Sequence, residues 1–196
     1  SITYSKARFQ ICTLECEQWL WRWMRGLAIA LPPEMLDKQT TLTWAGDAAR
    51  FIACLCANID ALGQTVNVVT GEHMTWRQVI DIYDSILPLP VDVRPVSVEE
   101  YIDIVQMRYP VLYDRMFDRV LDNSKALRLS GLKQSDLKPL KEGLTQELKP
   151  FLESPKFRYI DPRFQARMDK ATHSWSYTSA FGLKGTVEYT LSRFGF

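Results

Sequence analysis

The 196 residues carry a net charge of +1, with 46% hydrophobic and 24% charged side chains, which suits one globular domain or one domain and a small appendage. So even a balance gives no electrostatic case for nucleic acid or an anionic membrane surface. No run of 18 apolar residues occurs, and the opening SITYSKARFQ has no apolar core of a leader segment, so the expected setting is cytoplasmic.

In chain order, LECEQWLWRWMR (14–25) reads as a helix ended by Gly26. Trp19, Trp21 and Trp23 stand two apart, so a helix cannot turn all three to one neighbour. At least one indole is therefore expected at an interface, flanked by Arg22 and Arg25, because Trp and Arg are the enriched anchors of binding surfaces. LAIALPP follows as a short strand stopped by Pro32 and Pro33. TTLTWA is the next strand, and Asp47 reads as the N-cap of the helix AARFIACLCANIDAL. Phe51, Ile52, Leu55, Ile59 and Leu62 recur there at helical spacing. TVNVV, rich in β-branched residues, predicts a strand over 65–69. Thr75 with Gln78, and Ser97 with Glu100, are capping-box pairs that open two further helices.

LPVDVRPV, between those helices, is a third strand-like run. Beyond Pro110, VLYDRMFDRVL predicts renewed helix, and a short helix capped by Asn123 or Ser124 ends at Gly131. PLKEGLTQELKPFL places Leu140, Leu144, Leu148 and Phe151 on one face, with Gly143 an apparent helix-weakening choice. From 153 the character changes: residues 154–196 hold nine aromatics and seven Lys/Arg against three Asp/Glu. That composition predicts an extension, 153–196, which packs on the body (1–152) or on a partner, with YTSAFGLKGTVEYTLSRFGF as a terminal hairpin or arm. The basic and aromatic mix is a weaker argument for a nucleic-acid surface. Cys12, Cys16, Cys54 and Cys56 are expected as buried free thiols, since Cys54 and Cys56 point to opposite helix faces and only His73 and His173 could assist a metal.

The run Thr40–Leu87 resembles the C-terminal half of the extended short-chain dehydrogenases, the NAD-dependent epimerases and dehydratases. The likeness rests on Trp44-Ala45-Gly46-Asp47-Ala48-Ala49, on Val66-Asn67-Val68-Val69-Thr70-Gly71-Glu72 and on Thr75-Trp76-Arg77-Gln78. It extends to Asp122-Asn123-Ser124-Lys125, to PLKEGLTQELKPF, to YIDPRFQARMDK and to QWLWRWMRGLAIALPP, over about residues 15–172. The resemblance implies an α/β fold: a truncated substrate domain with short strands and several helices. It is not a complete Rossmann domain. No G-x-x-G-x-x-G or G-x-G-x-x-G turn occurs among the nine glycines, and such a turn is what brings a dinucleotide pyrophosphate to a helix N-terminus. The family's Y-x-x-x-K pair is missing too: Tyr4 is followed four residues on by Arg8, Tyr83 by Leu87, Tyr101 by Val105 and Tyr109 by Tyr113.

The expected role is accordingly a non-catalytic binding or accessory protein of a biosynthetic pathway, with no cofactor and no metal. Its partner would be a protein, a peptide, a metabolite or a second copy. The alternative is the substrate-binding half of a split sugar epimerase or dehydratase. The expected docking residues are Trp19, Arg22, Trp23, Arg25, Leu31, Pro32 and Trp44. A catalytic cluster of Asp47, Glu72, His73 and Arg77 is a third reading, though Asp47 as a cap and the others as solvated residues explain them more simply.

Overall fold

A computed structural model describes residues 2–176 and 178–195. Its strands are short: β1 (Ile2–Tyr4), β2 (Ile29–Leu31), β3 (Gln39–Thr40), β4 (Leu42–Trp44), β5 (Met74–Thr75) and β6 (Val93–Pro95). They associate only in pairs. β1 lies parallel to β4 in the register Ile2↔Leu42, β2 parallel to β6 with Ile29↔Val93, and β3 antiparallel to β5. The chain is thus mixed α/β, and at 52% helix it is organised by helices rather than by a sheet. Parallel strands favour cover: α3 and α8 pack on β4 and α9 packs on β2, while Arg94 and Pro95 of β6 stay exposed.

Those helices are α1 (Leu20–Trp23), α2 (Pro33–Leu36), α3 (Ala45–Cys56), α4 (Trp76–Ile86), α5 (Val98–Val105), α6 (Arg108–Pro110), α7 (Ser124–Ser130), α8 (Leu140–Glu153), α9 (Pro162–Thr172) and α10 (Gly182–Phe194). Thr75 and Gln78 close a reciprocal capping box on α4, and the Ser97 hydroxyl accepts from the Glu100 N–H at 3.2 Å on α5. The stripes read from the sequence are buried on α4 (Val79, Ile80, Tyr83) and α8 (Leu140, Leu144, Leu148, Phe151). Both stripes join one core with Phe9, Trp19, Leu31, Tyr101 and Phe164. Gly143 is required there: a Cβ on it would run into the ring and hydroxyl of Tyr4, which is 2% exposed. What the sequence presents as a weak helix residue is the seat of a buried tyrosine.

Several expectations are corrected. α3 begins at Ala45 straight from β4, so Trp44 holds the N-cap position and Asp47 lies in the first turn. The helix of 14–25 shrinks to α1, because Glu15–Trp19 form turns first. Residues 65–69 join no sheet. After Pro110 a wide helical turn covers Val111–Arg115 and stops, leaving Phe117 60% exposed. The C-terminal segment forms the helix α10 rather than a hairpin or an extended arm. Gly185 lets α10 approach α9, since a Cβ there would stand 3.1 Å from Pro162 Cγ, and Tyr189 is fully buried. Tyr177, the first residue of the expected hairpin, lies outside the described residues. Cys12 and Cys16 are buried free thiols, whereas Cys56 is exposed and Cys54 half-buried.

Candidate functional site

The tryptophan helix turns inward. Trp19 is fully buried, 4.6 Å from the Tyr83 ring, and its indole N–H donates to the Phe9 carbonyl at 2.9 Å. Trp21, 2% exposed, stacks on Phe181 of the extension at 6.0 Å, with Arg25 lying over its ring at 4.0 Å. Trp23 alone is half-buried, and its N–H donates to the Leu89 carbonyl.

Arg22, expected at a docking surface, is instead fully buried and paired with Asp169 at 2.8 Å. It also donates to the Ala28 carbonyl (2.7 Å), Gln165 (2.8 Å) and Ser174 (3.1 Å), while Tyr189 donates to Asp169 at 2.6 Å. Burial opposes the Asp169 charge, but Arg22 and the donors Tyr189 and Ser176 outweigh it and hold the carboxyl below its ordinary range. The same burial lowers the pKa of Arg22, with Asp169 acting against it. This hub bolts the extension to the body.

Leu31 and Pro32 are buried as well. Trp44 is half-buried at a different place, donating to Glu147 at 2.9 Å with the Lys138 ammonium 4.7 Å from its ring. Of the seven expected docking residues, Trp19, Arg22, Leu31 and Pro32 are occupied by the chain's own packing, and Trp23, Arg25 and Trp44 keep partial exposure. The Asp47, Glu72, His73 and Arg77 set is engaged structurally. Asp47 accepts from the Lys138 N–H (2.7 Å) and pairs with Arg50, Glu72 accepts from the Leu140 N–H (2.8 Å), His73 contacts the Gly71 carbonyl, and Arg77 pairs with Asp37. Both carboxylates of the proposed cluster, Asp47 and Glu72, thus satisfy backbone N–H groups at the start of α8.

A groove forms elsewhere, around Ala7. After β1 the chain makes two tight turns, closed by Arg8 N–H to the Ser5 carbonyl (3.0 Å) and by the Ile11–Leu14 pair. Phe9 anchors the turns on Phe151 (centroids 5.4 Å), which in turn meets Phe157 (5.5 Å). With the aromatic ring inside, Lys6, Ala7 and Arg8 stay at the surface. On one side lies a depression of 490 Å³ walled by Lys6, Gln146, Glu147, Pro150 and Lys156. On the other lies one of 610 Å³ walled by Arg8, Glu15, Glu17, Arg158, Tyr159 and Asp161. Arg8 pairs with Glu15 at 3.3 Å, and Glu17 accepts from the Arg158 backbone N–H.

Both signs of charge therefore line this groove, in open and solvated positions. The nearby Cys16 thiol donates to Glu17 and the Ala7 carbonyl, and burial together with Glu17 pushes it up to about 12, so it is no nucleophile at neutral pH. Among the described residues no group of His, Cys, Asp or Glu is arranged to hold a metal ion. Sequence reasoning missed this groove because its walls come from opposite ends of the chain. The one local signal was the exposed-polar run Ser5-Lys6-Ala7-Arg8 before a buried Phe9.

No helix among the described residues is long and apolar enough to cross a membrane. A scan of protein-family models finds none that matches the chain. A search of curated proteins finds no match either.

Proposed function

We propose that the chain is a non-catalytic binding protein, built on a substrate domain like that of the extended short-chain dehydrogenases, and that it holds a peptide or a segment of a partner enzyme. The observation behind this reading is the groove at Ala7. It is open, roughly a thousand Å³ across its two depressions, and lined by cations and anions together. A small anionic metabolite would meet Glu15, Glu17 and Asp161 as well as Arg8 and Arg158. A polypeptide segment carrying both signs matches that alternation and gains specificity from it. The carboxylates best placed for acid–base work, Asp47 and Glu72, are committed to backbone N–H groups.

The test is a display selection of random peptides on the immobilised chain, repeated on the Lys156→Glu/Arg158→Glu variant, with calorimetric titration of NAD and NADP alongside. The expected result is a set of peptides with mixed charge that loses at least tenfold in affinity for the variant, and no micromolar dinucleotide binding. Selection of no peptide, or a micromolar dissociation constant for either dinucleotide, would overturn the proposal.

A further inference from the structure

The groove at Ala7 is not uniform in charge. On one side its depression is lined by Lys6 and Lys156 against a single carboxylate, Glu147. That carboxylate already accepts from the Trp44 indole N–H at 2.9 Å, whereas neither ammonium group has a partner among the described residues. The depression on the other side has the opposite balance, with Glu15, Glu17 and Asp161 facing Arg8 and Arg158. Arg8 is neutralised by Glu15 at 3.3 Å, which leaves two carboxylates to the one guanidinium of Arg158. Tyr159, 67% exposed, lines the same depression. An exposed ring among carboxylates is a seat for a guanidinium or ammonium group. Ala7 lines both depressions, so the turn Ser5–Arg8 divides a cationic field from an anionic one.

Resting on the reading of this groove as a peptide site, we infer that the bound segment is charge-segregated: an acidic stretch over Lys6 and Lys156 and a basic residue at Tyr159, with the chain crossing Ala7 between them. The separation of the two fields selects the occupant. A free amino acid or other small zwitterion carries its charges a few bonds apart and cannot serve both sides of the turn. A uniformly acidic or basic segment gains on one side and is repelled on the other. A segment whose signs alternate residue by residue meets that conflict within each depression. Exposed charges at physiological salt act over less than about 10 Å, so each depression reads the residues laid in it and not the net charge of the ligand.

The probes are three dye-labelled dodecapeptides of one composition, glutamates and arginines in equal number among alanines and glycines. One carries its glutamates in the first half and its arginines in the second, one has the reverse order, and one alternates the signs. Fluorescence anisotropy follows binding to the intact chain. The expected result is that at least one segregated order binds at least tenfold tighter than the alternating peptide. Lys6→Glu/Lys156→Glu and Tyr159→Lys should each weaken that binding at least fivefold, and Ala7→Trp, which obstructs the crossing, at least tenfold. All are exposed positions, and the melting temperature should stay in place. Equal affinity for segregated and alternating peptides, or binding that none of these variants disturbs, would overturn the inference. Failure of all three probes to bind would overturn it too. If peptide display on the same chain then still selects binders, only the charge order is wrong; if it selects none, the reading beneath it falls as well. Self-association of the chain that Lys6→Glu/Lys156→Glu abolishes would assign the groove to a second copy and likewise overturn the inference.

Discussion

The two sides of the body received similar raw material and ended differently. On the side of α1, apolar and cationic side chains are sealed by the extension: Trp21 under Phe181, Arg22 against Asp169, Tyr189 closing the hub. On the side of α3, Phe51 turns inward, but Ile52 and, past the helix end at Cys56, Ile59 and Leu62 stay between 51 and 76% exposed, and the neighbouring segment 65–69 joins no sheet. A stripe at helical spacing states a demand for cover. It does not say that the same chain supplies it. The hub side is where most of the stability should reside, and the open side should contribute less.

Substitutions can break this contrast, beginning at the hub. Asp169→Ala leaves the Arg22 guanidinium buried without its counter-charge and should cost about 3–5 kcal/mol, seen as a large fall in the denaturant midpoint. Next comes Gly143→Ala. The Tyr4 ring, 2% exposed, must shift within the core to make way, so the new methyl should cost about 2–3 kcal/mol, the upper range for overpacking, although Ala is the better helix former. Acid should loosen the hub without mutation. Asp169 has its folded pKa held below the ordinary value, so its contribution is complete above about pH 4, near the unfolded carboxyl value, and is lost as the pH falls through the lower folded value. Proteolysis within 154–161 should accelerate in that acid window, and much less so in Asp169→Asn.

Smaller effects come from the α3 side. Asp47→Ala removes the acceptor for the Lys138 N–H and should cost about 1–2 kcal/mol, the range of a lost cap, read by thermal melting. Ile52→Lys, on the open face, should change stability by less than about 0.5 kcal/mol. A large loss there would mean that the face is covered after all.

Much of the local structure was legible. The Thr75/Gln78 box, the stripes of α4 and α8, and the runs that became β2, β4 and β6 depend on neighbours within a few residues, which a sequence displays. What failed depends on partners far along the chain. Arg22 reads as an exposed anchor because nothing near it in sequence announces Asp169. Asp47 reads as the cap of its own helix because its actual recipient, the Lys138 N–H, lies 91 residues further along the chain. Gly143 looked like a weakness until Tyr4 was placed against it. TVNVV has the composition of a strand, and composition fixes only the preference, since a ladder needs a second backbone. The run that forms α10 reads as a hairpin or an extended arm because its β-branched and aromatic residues favour strand, and packing on α9 through Gly185 and Tyr189 overrides that. The candidate groove at Ala7 was the least legible feature, being assembled from segments near both ends.

Site-resolved amide hydrogen exchange on the isolated chain at neutral pH compares the two sides in one measurement. The account predicts that Val66 and Val68 exchange close to the rates of an unstructured peptide, while the amides of α9 around Asp169 exchange only through global unfolding. If Val66 and Val68 proved as protected as α9, residues 65–69 would be covered and the contrast between a sealed and an open side would be contradicted.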